Sequence, residues 1–147
     1  MDFDDDLKTT YNITKGVHVT KSTGEVYAPV AMWLEALNLV LDRLKKNAPE
    51  SIKRIKGIGG SGQQHGSVFW NADAEKLLKG LDPEQPLVKQ LAGALAREWS
   101  PNWQDQSTQK ECDAFDAELG GRDELAKVTG SGAHHVRCLD KVIEDIC

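Results

Sequence analysis

The run Gly59-Gly60-Ser61-Gly62-Gln63-Gln64-His65-Gly66-Ser67-Val68-Phe69-Trp70 follows a β-prone stretch at residues 52–58 and ends in the β-prone Val68-Phe69-Trp70. The flanks read as strands, over residues 51–58 and 66–70, and the segment between them as the loop that joins them. That loop carries four glycines, two Gln amides and one imidazole, with no aliphatic side chain. Glycine tolerates positive φ and lets another group approach the backbone closely. Amide and imidazole groups supply donors and acceptors suited to a polyhydroxylated ligand. A polar loop with no core role, held between two strands, reads as a binding loop.

Two other glycine motifs compete for the same residues. Gly57-Ile58-Gly59-Gly60-Ser61-Gly62 fits G-x-G-x-x-G. That fingerprint binds a dinucleotide only when its third glycine opens a helix, whose N-terminus receives the pyrophosphate. Here β-branched and aromatic residues follow, so a strand after the loop argues against it. No Gly-Lys-Ser/Thr follows either, which excludes a P-loop.

Outward from the loop, strands alternate with helical patterns, an α/β arrangement. Residues 1–24 are polar and read as irregular apart from a short strand at Val17 and Val19. Asp4-Asp5-Asp6 reads as a solvated terminus. Pro29 is suited to the first position of a helix. Val30, Trp33, Leu34, Leu37, Val40, Leu41 and Leu44 then recur with helical period as one buried face, which Pro49 closes. A short helix is expected over residues 71–78, ending near Gly80, and another after Pro86 through Leu87, Val88, Leu91 and Leu95. Thr108-Gln109-Lys110-Glu111 has capping-box form, Cys112, Phe115 and Leu119 share a face, and Gly120-Gly121 stops that helix. Residues 123–128 form one more short helix. Trp33, Trp70 and Trp103 are expected in the core, although Trp70 and Trp103 could also line a ligand site.

The chain has 147 residues, enough for one domain with a real core. Its net charge of −5 and lack of a basic cluster argue against nucleic acid or an anionic membrane as partner. No apolar run approaches the ~18 residues of a membrane helix. The opening Met1-Asp2-Phe3-Asp4 is acidic where a signal peptide would be basic, so the cytoplasm is expected. Cys112, Cys138 and Cys147 lack paired spacing, so no disulfide framework is expected, and Cys112 reads as a buried thiol. His134, His135, Cys138 and Cys112 do not make a zinc set, because no second Cys pair accompanies them. No metal ligand is assigned.

The loop resembles the xylulose-kinase branch of the FGGY carbohydrate kinases, in which a strand delivers a Gln-Gln-His-Gly-Ser loop to the sugar. Other stretches are similar in order and spacing: Gly16-Val17-His18-Val19, Tyr27-Ala28-Pro29-Val30-Ala31-Met32-Trp33, Ser100-Pro101-Asn102-Trp103-Gln104-Asp105-Gln106-Ser107-Thr108 and Thr129-Gly130-Ser131. The resemblance implies part of an RNase-H-like (actin-like ATPase) domain over residues 1–135, lacking the first strands and the C-terminal ATP-binding domain. Gly132 and Val136 stand where the family carries arginines, and residues 136–147 depart from it and read as a divergent amphipathic helical tail. D-Xylulose or a related ketose is the implied ligand; ATP with Mg²⁺ are the implied cofactors of the parent enzyme and are not expected to bind this chain alone. His65 and Gln64 are the implied sugar contacts. Arg137 lies one place beyond the family's sugar-contacting arginine. Asp105 carries two readings equally, a carboxylate facing sugar hydroxyls or an acid serving the start of the following helix. The family's phosphate motif and catalytic aspartate have no counterpart here, so no catalytic residue is assigned and the chain alone is expected to be inactive. The alternative is a non-catalytic sugar- or partner-binding remnant of the same fold.

Overall fold

The computed structural model describes residues 1–63 and 65–134. In chain order it contains helix α1 (Phe3–Tyr11), strands β1 (His18–Val19) and β2 (Val26–Pro29), and helices α2 (Val30–Asn47), α3 (Pro49–Arg54), α4 (Ala74–Lys79) and α5 (Leu87–Leu91). A 3₁₀ turn (Ala92–Ala94), strand β3 (Trp99–Pro101) and helices α6 (Gln109–Glu118) and α7 (Arg122–Thr129) follow. The strands pair in the order β1-β2-β3. Helices with a small sheet make the chain α/β in class. It divides into two compact units, one of Met1–His18, Ala28–Gln63 and Val68–Ser100, the other taking 19–27, 65–67 and 101–134 of the described residues.

In the first unit the acidic terminus is a helix start, where the sequence suggested irregular chain. The Asp2 carboxylate accepts from the Asp4 and Asp5 amides at 2.9 and 3.2 Å, and Asp4, Asp5 and Asp6 fill the first turn, where the helix dipole favours negative charge. Two of these acids also tie α1 down. Asp4 accepts from the backbone of Lys15 (2.7 Å) and Gly16 (3.0 Å), whose left-handed φ of 54° and 74° turns consecutive N–H groups toward one anion. Asp6 takes both guanidinium nitrogens of Arg43 on α2. The Lys15 and Gly16 amides hold the Asp4 carboxyl below its usual range, and the Arg43 bond does the same for Asp6. Leu7 and Ile13 are buried beneath this corner.

Helix α2 begins one residue later than expected, with Pro29 ending β2 as its N-cap at φ −65°. The expected apolar face is only partly buried. Val30, Met32 and Ala36 are the buried residues, while Leu37, Val40 and Leu41 stay 47%, 44% and 41% exposed. Helices α1, α3 and α5 pack on α2. Ala74, Leu91 and Ala94 form a buried cluster against which Leu34, Leu77, Leu81 and Leu87 pack.

The strand expected over residues 51–58 is absent. Helix α3 takes its place, with Pro49 at its start, Glu50 in its first turn and Lys53 and Arg54 in its last. β-Propensity needs a neighbouring strand to act through, whereas proline, acid and base at the right ends stabilise a helical turn locally. Ile55 and Ile58 are consequently exposed, Ile58 at 89%. The strand expected over residues 66–70 shrinks to one antiparallel bridge between Trp70 and Leu95, reinforced where Ala96 donates to the Phe69 carbonyl at 2.9 Å. Helices α4 and α5 fall in the expected stretches, flanked by Gly80 and Pro86, but are shorter than expected: α4 starts at Ala74 rather than 71, and α5 ends at Leu91, after which Leu95 bridges to Trp70.

In the second unit, α6 follows Thr108 at its N-cap and stops just before Gly120-Gly121, where Gly121 (φ 114°) donates to the Asp116 carbonyl at 2.7 Å. The expected capping box does not form: Thr108 is buried, with φ −90° and ψ 23°, and its side chain makes no capping bond. Cys112 is buried as expected, but Phe115 and Leu119 are 43% and 46% exposed. Helix α7 buries Leu125 and ends at Gly130 (φ 86°).

Candidate functional site

Residues 55–63 run through the glycine segment without regular structure and are exposed. The dinucleotide reading requires a helix opening at Gly62, and among the described residues the next helix is α4, at Ala74. That reading is therefore eliminated. His65 stands in a turn, exposed, with φ 62°. A non-glycine residue in the left-handed region is uncommon, and such conformations concentrate at ligand-facing turns. Gln64 lies outside the described residues. Gly66 to Phe69 are half-buried, and the Arg97 guanidinium sits 5.7 Å from the centre of the Phe69 ring. Trp70 is 46% exposed rather than core.

His65 and Asp105 belong to the second unit. Asp105 sits in a segment whose buried members are polar: Asn102, Asp105 and Thr108 are 6%, 4% and 2% exposed. A buried polar side chain is costly unless bonded, and the backbone here supplies part of that bonding. The Asp105 Oδ1 accepts from the Ser107 amide at 2.9 Å, and the Asn102 Oδ1 accepts from the Gln104 amide at 2.9 Å. Both are bonds to the residue two places on, the geometry of an Asx turn. The Asp105 carboxylate thus shapes the approach to α6, while Trp103, the middle residue of the first turn, is 51% exposed, against its expected place in the core.

Arg137 and the tail at residues 136–147 lie outside the described residues. Gly132 is pressed against α7: a Cβ there would stand 2.6 Å from the Arg122 Cγ. A larger residue at 132 therefore requires Arg122 to move. Sequence reading passed over Asn102, and the available signal was the pair of Asx residues at 102 and 105, just ahead of a helix.

No family model matches the chain. Over 134 residues, 91% of its length, it is 58% identical to the probable D-xylulose kinase A of Aspergillus flavus. It is 57% identical over 134 residues to the D-xylulose kinase A of Aspergillus niger, and 56% identical over 135 residues to the probable D-xylulose kinase A of Arthroderma otae. The chain is a homologue of sugar kinases across nine-tenths of itself. The kinases in question are D-xylulose kinases, and the chain spans 23% of the length of these curated relatives. Among its described residues no helix is long and apolar enough to cross a membrane.

Proposed function

We propose that the chain is the sugar-facing part of a D-xylulose kinase, whose complete polypeptide transfers the ATP γ-phosphate to D-xylulose and yields D-xylulose 5-phosphate. The observation that carries this is the 55–58% identity to D-xylulose kinases over 91% of the chain, a stretch that includes the Gln63-Gln64-His65-Gly66-Ser67 loop. In this reading residues 1–135 are part of an RNase-H-like kinase domain, and residues 136–147 are a divergent tail. His65 and Gln64 bond the ketose hydroxyls, Asp105 offers a carboxylate to the same sugar, and Arg137 supplies a cationic contact. An exposed imidazole on a positive-φ turn suits such a role, because such backbone conformations cluster where a side chain meets a ligand and the ring can donate and accept.

Phosphoryl transfer depends on positioning and on neutralising developing charge, which ATP-bound Mg²⁺ supplies in such enzymes. Such Mg²⁺ needs only one or two protein carboxylates beside the phosphates and bound water. Because the chain spans 23% of the length of its relatives, we assign ATP and Mg²⁺ to the remainder of the kinase and place the whole in the cytoplasm, where ATP-consuming sugar phosphorylation occurs.

Two measurements on the purified chain test the reading. With ATP, Mg²⁺ and D-xylulose, coupled ADP release is expected to stay at the no-enzyme rate, and turnover would overturn the assignment of catalysis to absent parts. D-Xylulose is expected to bind saturably, as read by NMR titration, with His65→Ala weakening it by about tenfold, the upper end of what one net hydrogen bond contributes. Unchanged binding in His65→Ala would remove His65 from the site.

A further inference from the structure

We propose that Asn102 is a positioning residue for the sugar site: its side chain and backbone fix the turn on which Asp105 stands, and thereby set where the Asp105 carboxylate meets the ketose. The inference rests on the reading of Asp105 as a sugar contact. Asn102 is 6% exposed, and its groups are committed in three directions. Its backbone N–H donates to the Val26 carbonyl at 2.9 Å, anchoring the segment to β2. Its Oδ1 accepts from the Gln104 amide at 2.9 Å. Its backbone carbonyl accepts from the Asp105 amide at 2.9 Å. Asp105 then repeats the pattern through its own Oδ1 to the Ser107 amide.

Two Asx turns in series leave little freedom between residues 102 and 107. The first is anchored to the sheet and the second runs into α6, so the position of Asp105 follows from the bonds Asn102 makes. Leucine matches asparagine closely in size but cannot accept from the Gln104 N–H, whereas aspartate retains the acceptor. A displacement of ~1 Å at a positioned group is enough to weaken its interaction substantially.

The test uses the full 147-residue chain as wild type, Asn102→Leu, Asn102→Asp and His65→Ala. Amide exchange at Gln104 reads the turn, and an NMR titration with D-xylulose reads the site. In Asn102→Leu the Gln104 amide is expected to exchange about tenfold faster and D-xylulose to bind about tenfold more weakly, the loss of one net hydrogen bond. Asn102→Asp is expected to restore both. Should Asn102→Leu not fold, Asn102→Ser, with a shorter acceptor, carries the same comparison against Asn102→Asp. A freed Gln104 amide with unchanged D-xylulose affinity makes Asn102 structural only and overturns the proposal. If binding is lost in His65→Ala but unaltered at Asn102, this proposal alone fails. A wild-type chain that binds no D-xylulose overturns both this proposal and the reading of the site beneath it.

Discussion

Helix α2 offers a direct test of which of its faces holds the first unit together. Met32 is fully buried, and truncating a buried Met to Ala costs about 2–5 kcal/mol, the lost transfer energy plus the cavity left behind. Leu37 and Leu41 keep 47% and 41% of their surface in water. Full burial of a Leu side chain is worth about 1.5–3 kcal/mol, so roughly half of that, about 0.7–1.5 kcal/mol, is at stake when either becomes Ala. Urea unfolding of Met32→Ala, Leu37→Ala and Leu41→Ala, followed by far-UV circular dichroism, separates the two sets, since denaturation midpoints shift with stability when the slope is constant. The expected ranking places Met32→Ala well beyond either leucine variant. If Leu37→Ala or Leu41→Ala destabilises as much as Met32→Ala, the buried face has been misassigned.

Acid should loosen the α1 corner. The folded pKa values of Asp4 and Asp6 lie below the ordinary 3.8, so their contribution is fully present above that value and is lost as pH falls through the depressed folded pKa values. Urea midpoints measured down the acid range are expected to fall below about pH 4 less steeply in Asp4→Asn and Asp6→Asn than in the wild type, and an identical acid limb in both variants would exclude the two carboxylates as its source. Tyr11 donates to Glu35 at 2.6 Å, and burial, followed by that bond, pushes its phenol well above the ordinary 10.0. Tyr11→Phe is expected to cost about 1 kcal/mol, and the ultraviolet titration difference between wild type and variant should show a phenol ionising above the normal range. A phenol titrating at its ordinary value would show that the Glu35 bond does not form in solution.

Punctuation residues were readable in the sequence because they act locally. Pro29 and Pro49 bracket α2, Gly80 and Pro86 set the limits of α4 and α5, and Gly120-Gly121 ends α6, each through its own backbone preference. What depends on distant partners was not. Residues 51–58 have strand composition, but a strand needs a ladder, and the local signals of Pro49, Glu50, Lys53 and Arg54 prevail. The period of Leu37, Val40 and Leu41 identifies a helix face without saying what covers it. Trp70 and Trp103 are large enough for a core, yet hold half their surface in water. At the site, the residue types of the Gln63-to-Ser67 loop pointed to a polyhydroxylated ligand from the sequence alone. The left-handed backbone at His65 and the turn-building bonds of Asn102 did not, since both depend on where the chain on either side is held.

The burial of Cys112 at 2% exposure gives the second unit a built-in clock. A thiol reacts as its thiolate and only where a reagent can reach it, so Cys112 is modified only while α6 is parted from its neighbours. In a chain with Cys138→Ser and Cys147→Ser, the rate of labelling by an aromatic disulfide reagent, divided by that of an unfolded control, gives the fraction of time the helix stands open. When reclosing outpaces labelling, that fraction is an equilibrium constant for a local event. If the chain binds D-xylulose as proposed, the same trace recorded with and without the sugar would read that binding as a slowing of the opening.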